Sequence, residues 1–405
     1  MEVEGTNLTI SLHVQPSRRL AGLSSAIFTE MNQRKRAVEA SGTFEVIDLG
    51  IGSPDQPPSP FIMEALTQAV RNPDNYGYPT SEGSLRFRET VASWYFHRFH
   101  VEVDPDHEVL SLMGSQDGLA HLAQGWIDPG DVVLVPDPGY PIYFASVNLA
   151  GGEIYPLPLR AENGFLPDFT NIPADILERA KLMVLNYPNN PVSATVQEGF
   201  FEKVVRFARE NDILVAHDMA YSEMAFDGYR PPSFLETPGA KEVGVEFNSL
   251  SKSFNMAGCR VGYIVGNAQI IRPLAIIKSN IDYGIFLAIQ EAAIAAMEHD
   301  ILHPGQNRIA QVYQERRDVL LDGLAAIGWK IDKPKATMFV WAPIPDGWTS
   351  ENFAFTLLEK AGVVVIPGNA FGQEGEGYVR IALVKPVDVL KEVIERIKKS
   401  GIISR

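Results

Sequence analysis

The chain is predicted to be an α/β protein, with a mainly parallel sheet between helices in a large domain and a small α+β domain beside it. Three observations predict this. Six short apolar runs, at residues 109–113, 132–135, 182–185, 213–216, 243–247 and 261–265, alternate with helical segments and show no polar alternation, which is how strands read when helices cover both faces of a sheet. Beyond about residue 290 the order changes to one long helix followed by three strand candidates. The 405 residues, 45% of them hydrophobic, are enough for two or three cores at roughly 150 residues per domain.

In chain order, the first forty residues, with Pro16, Arg18 and Arg19 ahead of a helical stretch from about residue 24 to 40, read as an arm and an opening helix. They are too short for a DNA-binding module. From Asp48 onward Gly50, Gly52, Pro54, Pro57, Pro58 and Pro60 supply turn chemistry. Helix-period stretches follow at 61–71 and 85–99, and then come the six strands. The carboxyl-terminal part predicts a helix over 308–327, strands at 338–342, 362–366 and 378–383, and a closing amphipathic helix over 387–399. These elements divide into an arm and part of the small domain (1–46), a large domain (47–289) and the rest of the small domain (290–405). No internal repeat or low-complexity segment interrupts them.

Composition excludes several function classes. Lys and Arg number 35 against 50 Asp and Glu, a net charge of −15, which disfavours nucleic acid and anionic lipid as partners. Cys259 is the single cysteine, so neither an intrachain disulfide nor a cysteine-built metal cluster is available, and a reducing compartment is expected. Residues 1–5 carry two glutamates where a secretory signal needs positive charge, and no apolar run of about 18 residues exists. The expectation is a cytoplasmic protein.

Ligands of parallel α/β sheets bind outside the carboxyl ends of the strands, so the residues after each strand carry the functional information. They are Gly114-Ser115-Gln116-Asp117-Gly118, Asp137-Pro138-Gly139-Tyr140-Pro141, Asn186-Tyr187-Pro188-Asn189-Asn190-Pro191, Asp218 with Tyr221, and Ser249-Leu250-Ser251-Lys252 with Arg260 eight residues later. Each has an ordinary explanation taken alone. Ser115 suits a helix N-cap, Tyr140 a turn aromatic, Asn190-Pro191 a turn, Asp218 a cap or surface acid, and Lys252 and Arg260 solvated charges.

Together they answer one physical problem, the holding of pyridoxal phosphate. That cofactor needs an amine for a Schiff base, an anion site for its phosphate, a carboxylate against its pyridine nitrogen and donors to its phenolic oxygen. Lys252 supplies the amine, and burial with a neighbouring cation lowers a lysine pKa in the required direction. Asp218 would face the ring nitrogen; Tyr221 and Asn190 would donate to the phenolic oxygen. Ser115 and Gln116 at a helix start, with Ser249 and Arg260, make the anion site. Tyr140 would stack on the ring.

With the run Ser249-Leu250-Ser251-Lys252-Ser253-Phe254-Asn255-Met256-Ala257-Gly258-Cys259-Arg260, beside Asn190-Pro191 and Asp218-x-x-Tyr221, the sequence resembles the class I/II aminotransferases, pyridoxal-phosphate enzymes of fold type I. The resemblance spans about residues 23–396. It implies transamination between an amino acid and a 2-oxo acid by a homodimer with shared sites, in which Tyr78 reaches the phosphate of the partner subunit. It also implies that Arg380, with Asn190 and a backbone N–H of Gly52, takes the substrate α-carboxylate. The text at Asp48-Leu49-Gly50-Ile51-Gly52-Ser53-Pro54-Asp55 looks most like the branch that includes LL-diaminopimelate aminotransferases, with 2-oxoglutarate as acceptor.

Two departures stand out. A turn that usually reads Asn-Pro-Thr-Gly here reads Asn190-Pro191-Val192-Ser193, and Cys259 stands where tryptophan is frequent. No second arginine occurs in 279–284, which disfavours aspartate specificity by the partner-arginine route. The rival readings are an aminotransferase for alanine or another neutral amino acid, a β-eliminating lyase on the same site, and, outside enzymes, a regulatory relative that has kept the fold. Other motifs carry little. Gly50-x-Gly52 lacks a dinucleotide setting and no phosphate loop exists; His97 and His100 read as a solvated face rather than a metal site; His217 reads as an orienting residue. No metal is expected.

Overall fold

The computed structural model describes residues 17–20, 23 and 26–403; Pro16, the start of the opening helix at residue 24 and the residue 1–5 segment lie outside them. The strands are, in order, β1 (Ile47–Asp48), β2 (Val109–Leu112), β3 (Val132–Asp137), β4 (Glu153–Pro158), β5 (Ala180–Asn186), β6 (Leu214–Asp218), β7 (Gly244–Ser249), β8 (Gly262–Gly266), β9 (Phe339–Pro343), β10 (Val363–Val364), β11 (Ile366–Pro367) and β12 (Tyr378–Ala382).

Seven of these form one sheet in the order β2-β8-β7-β6-β5-β3-β4. From β7 to β4 the neighbours are parallel, and only β8 runs against them, between β2 and β7. The apolar runs have the expected cause. Along β3, Val132 and Leu134 pack into the core on one face while Val133 and Val135 pack into the core on the other. Both faces are covered, so neither can be polar. All six predicted strands are present, and β4 joins them at the edge. Its Pro156 and Pro158 are tolerated there because an edge strand needs fewer ladder donors.

A second core draws on both chain ends. Met31, Ile47 and Leu49 meet Leu320, Val340, Leu358, Ile381 and Ile394. Here β11-β12-β9 form an antiparallel sheet, and β1 pairs with β10. The stretch predicted as one strand over 362–366 is two short ones, because the chain leaves β1 at Val364 and turns to β12 at Ile366. The helices expected at 85–99, 308–327 and 387–399 are Leu85–Phe99, Ile309–Ala326 and Val387–Ser400. Among the described residues no helix is long and apolar enough to cross a membrane.

Candidate active site

Strand direction assembles the site. β2, β3, β5, β6 and β7 all run the same way, so their carboxyl ends share one edge of the sheet. Because β8 is reversed, its amino end lies at that same edge, which brings Arg260, two residues before β8, beside residues that follow the other strands. A cavity of about 440 Å³ opens there. Ser115, Gln116, Tyr140, Asn190, Asp218 and Tyr221 line it. Gly52, Ser249, Lys252, Arg260 and Arg380 complete its wall. Eleven of the twelve expected residues therefore converge. Tyr78 is the exception; it is 94% exposed, with its ring 5.9 Å from that of Tyr283.

The amine is held between opposing charges. Burial is the main reason the Lys252 ammonium is pulled down to about 8, and the Arg380 and Arg260 cations pull further in that direction, while Asp218 resists. Its Nζ donates to the carbonyl of Gly52 at 2.7 Å. That glycine was expected to offer its N–H; the bond present here uses its oxygen. A side chain at position 52 would meet the ring of Phe339 at 2.6 Å, so only glycine fits. Burial pushes the Asp218 carboxyl up, while the Tyr143 hydroxyl (2.7 Å) and the Ala220 N–H (3.2 Å) donate to it and favour its charged form.

Arg380 is 6% exposed. Its guanidinium donates to Asn190 Oδ1 and to the Gly50 carbonyl, both at 2.8 Å, and lies over the rings of Phe339 and Phe371. Among the described residues no carboxylate meets it and Nε is buried without a partner, and burial pulls its pKa down to about 10. A guanidinium held so can take an anion. At the other end, the helix Ser115–His121 begins after Gly114, so Ser115 is the first helical residue rather than the cap, and its hydroxyl is not used in capping. Gly114 leaves the place its Cβ would take to the Arg260 guanidinium, whose Nη2 lies 2.5 Å from that position. The Ser249 hydroxyl caps the short helix Leu250–Ser253 that carries Lys252.

Sequence reasoning missed Tyr143 and Phe339. Tyr143 lies one helical turn after Tyr140, a spacing that offered a signal; Phe339 sits within an apolar strand and offered none. His217 is fully buried, its Nδ1 2.7 Å from Glu246 and its Nε2 accepting the Tyr187 N–H, the arrangement of an orienting residue.

Both ends fit one cofactor. An amine kept partly neutral beside a buried carboxylate, with cationic cradles for anions on either side, equips a pyridoxal-phosphate enzyme, and the fold is that of fold type I. The chain belongs to the aminotransferase class I and II family, whose pattern matches residues 45–397. It is a pyridoxal-phosphate-dependent transaminase, acting on an amino acid and a 2-oxo acid. It is 50% identical over 386 residues to the LL-diaminopimelate aminotransferase of Moorella thermoacetica, covering 95% of this chain and 98% of that one. The enzyme of the same name from Desulforudis audaxviator is 50% identical over 94% of this chain and 97% of its own. Among solved structures, substrate-bound BacF from Bacillus subtilis superposes with a TM-score of 0.90 at 41% identity, covering 96% and 98% of the two chains.

Proposed function

We propose that the chain moves the amino group of LL-diaminopimelate to 2-oxoglutarate, with Lys252 as the group that carries the proton. The observation behind the site assignment is the pair of cations, Lys252 and Arg380, that hydrogen-bond neutral oxygens and face one cavity with buried Asp218. Support for the substrate comes from the two relatives above, each similar over nearly its whole length.

Pyridoxal phosphate, when bound, supplies an electron-accepting ring that makes the α-proton of an amino acid removable at neutral pH. Asp218 would hold the ring nitrogen protonated, with Tyr143 keeping the carboxylate charged and oriented. Asn190 and Tyr221 would face the phenolic oxygen, Tyr140 the ring, and Ser115, Gln116, Ser249 and Arg260 the phosphate. Arg380 binds the substrate α-carboxylate, so that the α-carbon is presented to Lys252. Lys252 would take the α-proton as a base and, as an acid, deliver it two bonds away, to what had been the cofactor's carbonyl carbon. A pKa near 8 suits both halves of that transfer, because the amine is neither fully protonated nor a weak acid at neutral pH. Tyr78 would reach the phosphate of a partner subunit in a homodimer. Its exposure, with that of Tyr76, Ile281 and Tyr283, supports a covered face there.

A panel of amino donors with 2-oxoglutarate and with pyruvate tests the substrate. LL-diaminopimelate with 2-oxoglutarate is expected to exceed alanine and aspartate in kcat/KM by about tenfold or more. A preference for alanine, or pyruvate and ammonia released from cystine without an acceptor, would overturn it.

A further inference from the structure

The departure at Val192-Ser193 acquires a meaning in three dimensions. Ser193 adopts φ +58° and Thr337 φ +74°. Left-handed backbone is uncommon for serine and a true outlier for a β-branched residue. Such strain persists only where the surroundings over-determine it. Both residues are buried, and their hydroxyls form a chain: Thr337 Oγ1 donates to Ser193 Oγ at 3.0 Å, and Ser193 Oγ donates to the Phe339 carbonyl at 2.9 Å. The Phe339 N–H donates back to Thr337 Oγ1 at 3.2 Å.

This chain joins two walls that have no covalent reason to stay in register. One wall is the turn after β5, which presents Asn190 three residues before Ser193 and is itself fixed where the Asn190 N–H donates to Asn186 Oδ1 at 2.7 Å. The other is β9, which presents the Phe339 ring. Arg380 lies between them, with Asn190 Oδ1 at 2.8 Å from its Nη1 and the Phe339 ring 4.3 Å beneath its centre. The same ring closes on Gly52, the acceptor of the Lys252 amine.

We propose that Ser193 and Thr337 are positioning residues for the substrate carboxylate, their linked hydroxyls fixing the slot in which Arg380 meets it. The inference rests on the reading of Arg380 as the carboxylate partner. Glycine at 193 would relieve the backbone; the serine exchanges that freedom for a fixed slot.

The test uses the cofactor-loaded protein and two probes. Glutarate, which cannot react, is titrated calorimetrically, and the L-glutamate half-reaction is followed for KM and kcat. Ser193→Gly and Thr337→Val are each expected to weaken glutarate and raise the KM for L-glutamate by about tenfold, the worth of one buried hydrogen bond, with kcat and pyridoxal-phosphate affinity nearly unchanged. Thr337→Ser keeps the hydroxyl and should restore the parental values. The double variant should lose little more than either single one, since both cut one chain. Ser193→Gly is the decisive variant, because glycine is unstrained at this φ and the protein should melt no lower than the parent. Parental glutarate affinity in both Ser193→Gly and Thr337→Val overturns the proposal. Arg380→Leu separates the two layers: if it too leaves glutarate binding unchanged, the carboxylate reading of Arg380 fails; if it alone weakens binding, only the positioning role fails.

Discussion

Two groups of buried cations in this molecule differ in one respect. Lys278 is 1% exposed and sits between two carboxylates, Asp117 at 2.9 Å and Asp282 at 2.6 Å. Arg317, 2% exposed, likewise meets Asp227 and Asp318. Arg380 is also removed from solvent and Lys252 partly so, yet their hydrogen-bond partners among the described residues are neutral oxygens. The effect on acidity follows. Burial alone would push Asp117 up, but His121 and Lys278 hold it at about 2; burial pulls Lys252 down to about 8, its one acid neighbour outweighed. A buried cation with its own carboxylates belongs to the fold, because the charges settle each other. A cation that hydrogen-bonds only carbonyl and amide oxygens, as Lys252 does even with Asp218 nearby, keeps its charge open to a ligand.

The comparison breaks most severely if Lys252 proves dispensable. Lys252→Ala is expected to lower transamination by roughly 10⁴-fold or more, the loss of both covalent anchorage and proton transfer. The variant should still fold and hold cofactor without covalent attachment, checked by loss of the borohydride-trapped adduct. Ordinary turnover would sink the assignment.

Lys278→Met asks the opposite question and should leave chemistry aside. It strands Asp117 and Asp282 as buried carboxylates, and urea unfolding of the cofactor-free protein should show a loss of about 3–5 kcal/mol. Adding Asp117→Asn and Asp282→Asn should recover most of it. Arg380→Leu, by contrast, removes a cation with no carboxylate and should cost little stability. If Lys278→Met costs under about 1 kcal/mol, as an exposed pair would, the division between the two groups is false.

The same contrast explains what the amino-acid order could and could not disclose. Strand existence is local: runs of four or five mostly apolar residues state that both faces are covered, and all six runs became strands. Strand direction is not local. Nothing in residues 261–265 says that β8 is reversed, yet that reversal is why Arg260 shares an edge with Lys252; only the eight-residue spacing of the family resemblance pointed there. β4 was hidden because edge position excuses its prolines and leaves its burial incomplete. The polar residues of the cavity were legible because their chemistry is unusual at strand ends. Phe339 was not, since a phenylalanine in a strand looks the same whether it fills a core or carries a guanidinium. Ser193 was visible as a departure, but its partner Thr337 lies 144 residues away.

The smallest expected effect tests the electrostatics of Lys252 directly. Covalent capture of pyridoxal phosphate by the cofactor-free protein requires the neutral amine. Because the folded-state pKa is lowered from 10.5 to about 8, the neutral form is scarce at pH 7 and dominant at pH 9. The capture rate should thus rise about tenfold per unit below pH 8 and level above it, a window that lies above the second ionisation of a phosphate ester, near 6. Stopped-flow absorbance between pH 6.5 and 9.5 measures it. Arg380→Leu removes the larger of the two cationic contributions, so the inflection should move upward by a fraction of a unit. An inflection in the parent close to 10, as for a solvated lysine, would mean that burial and the two arginines do not lower Lys252.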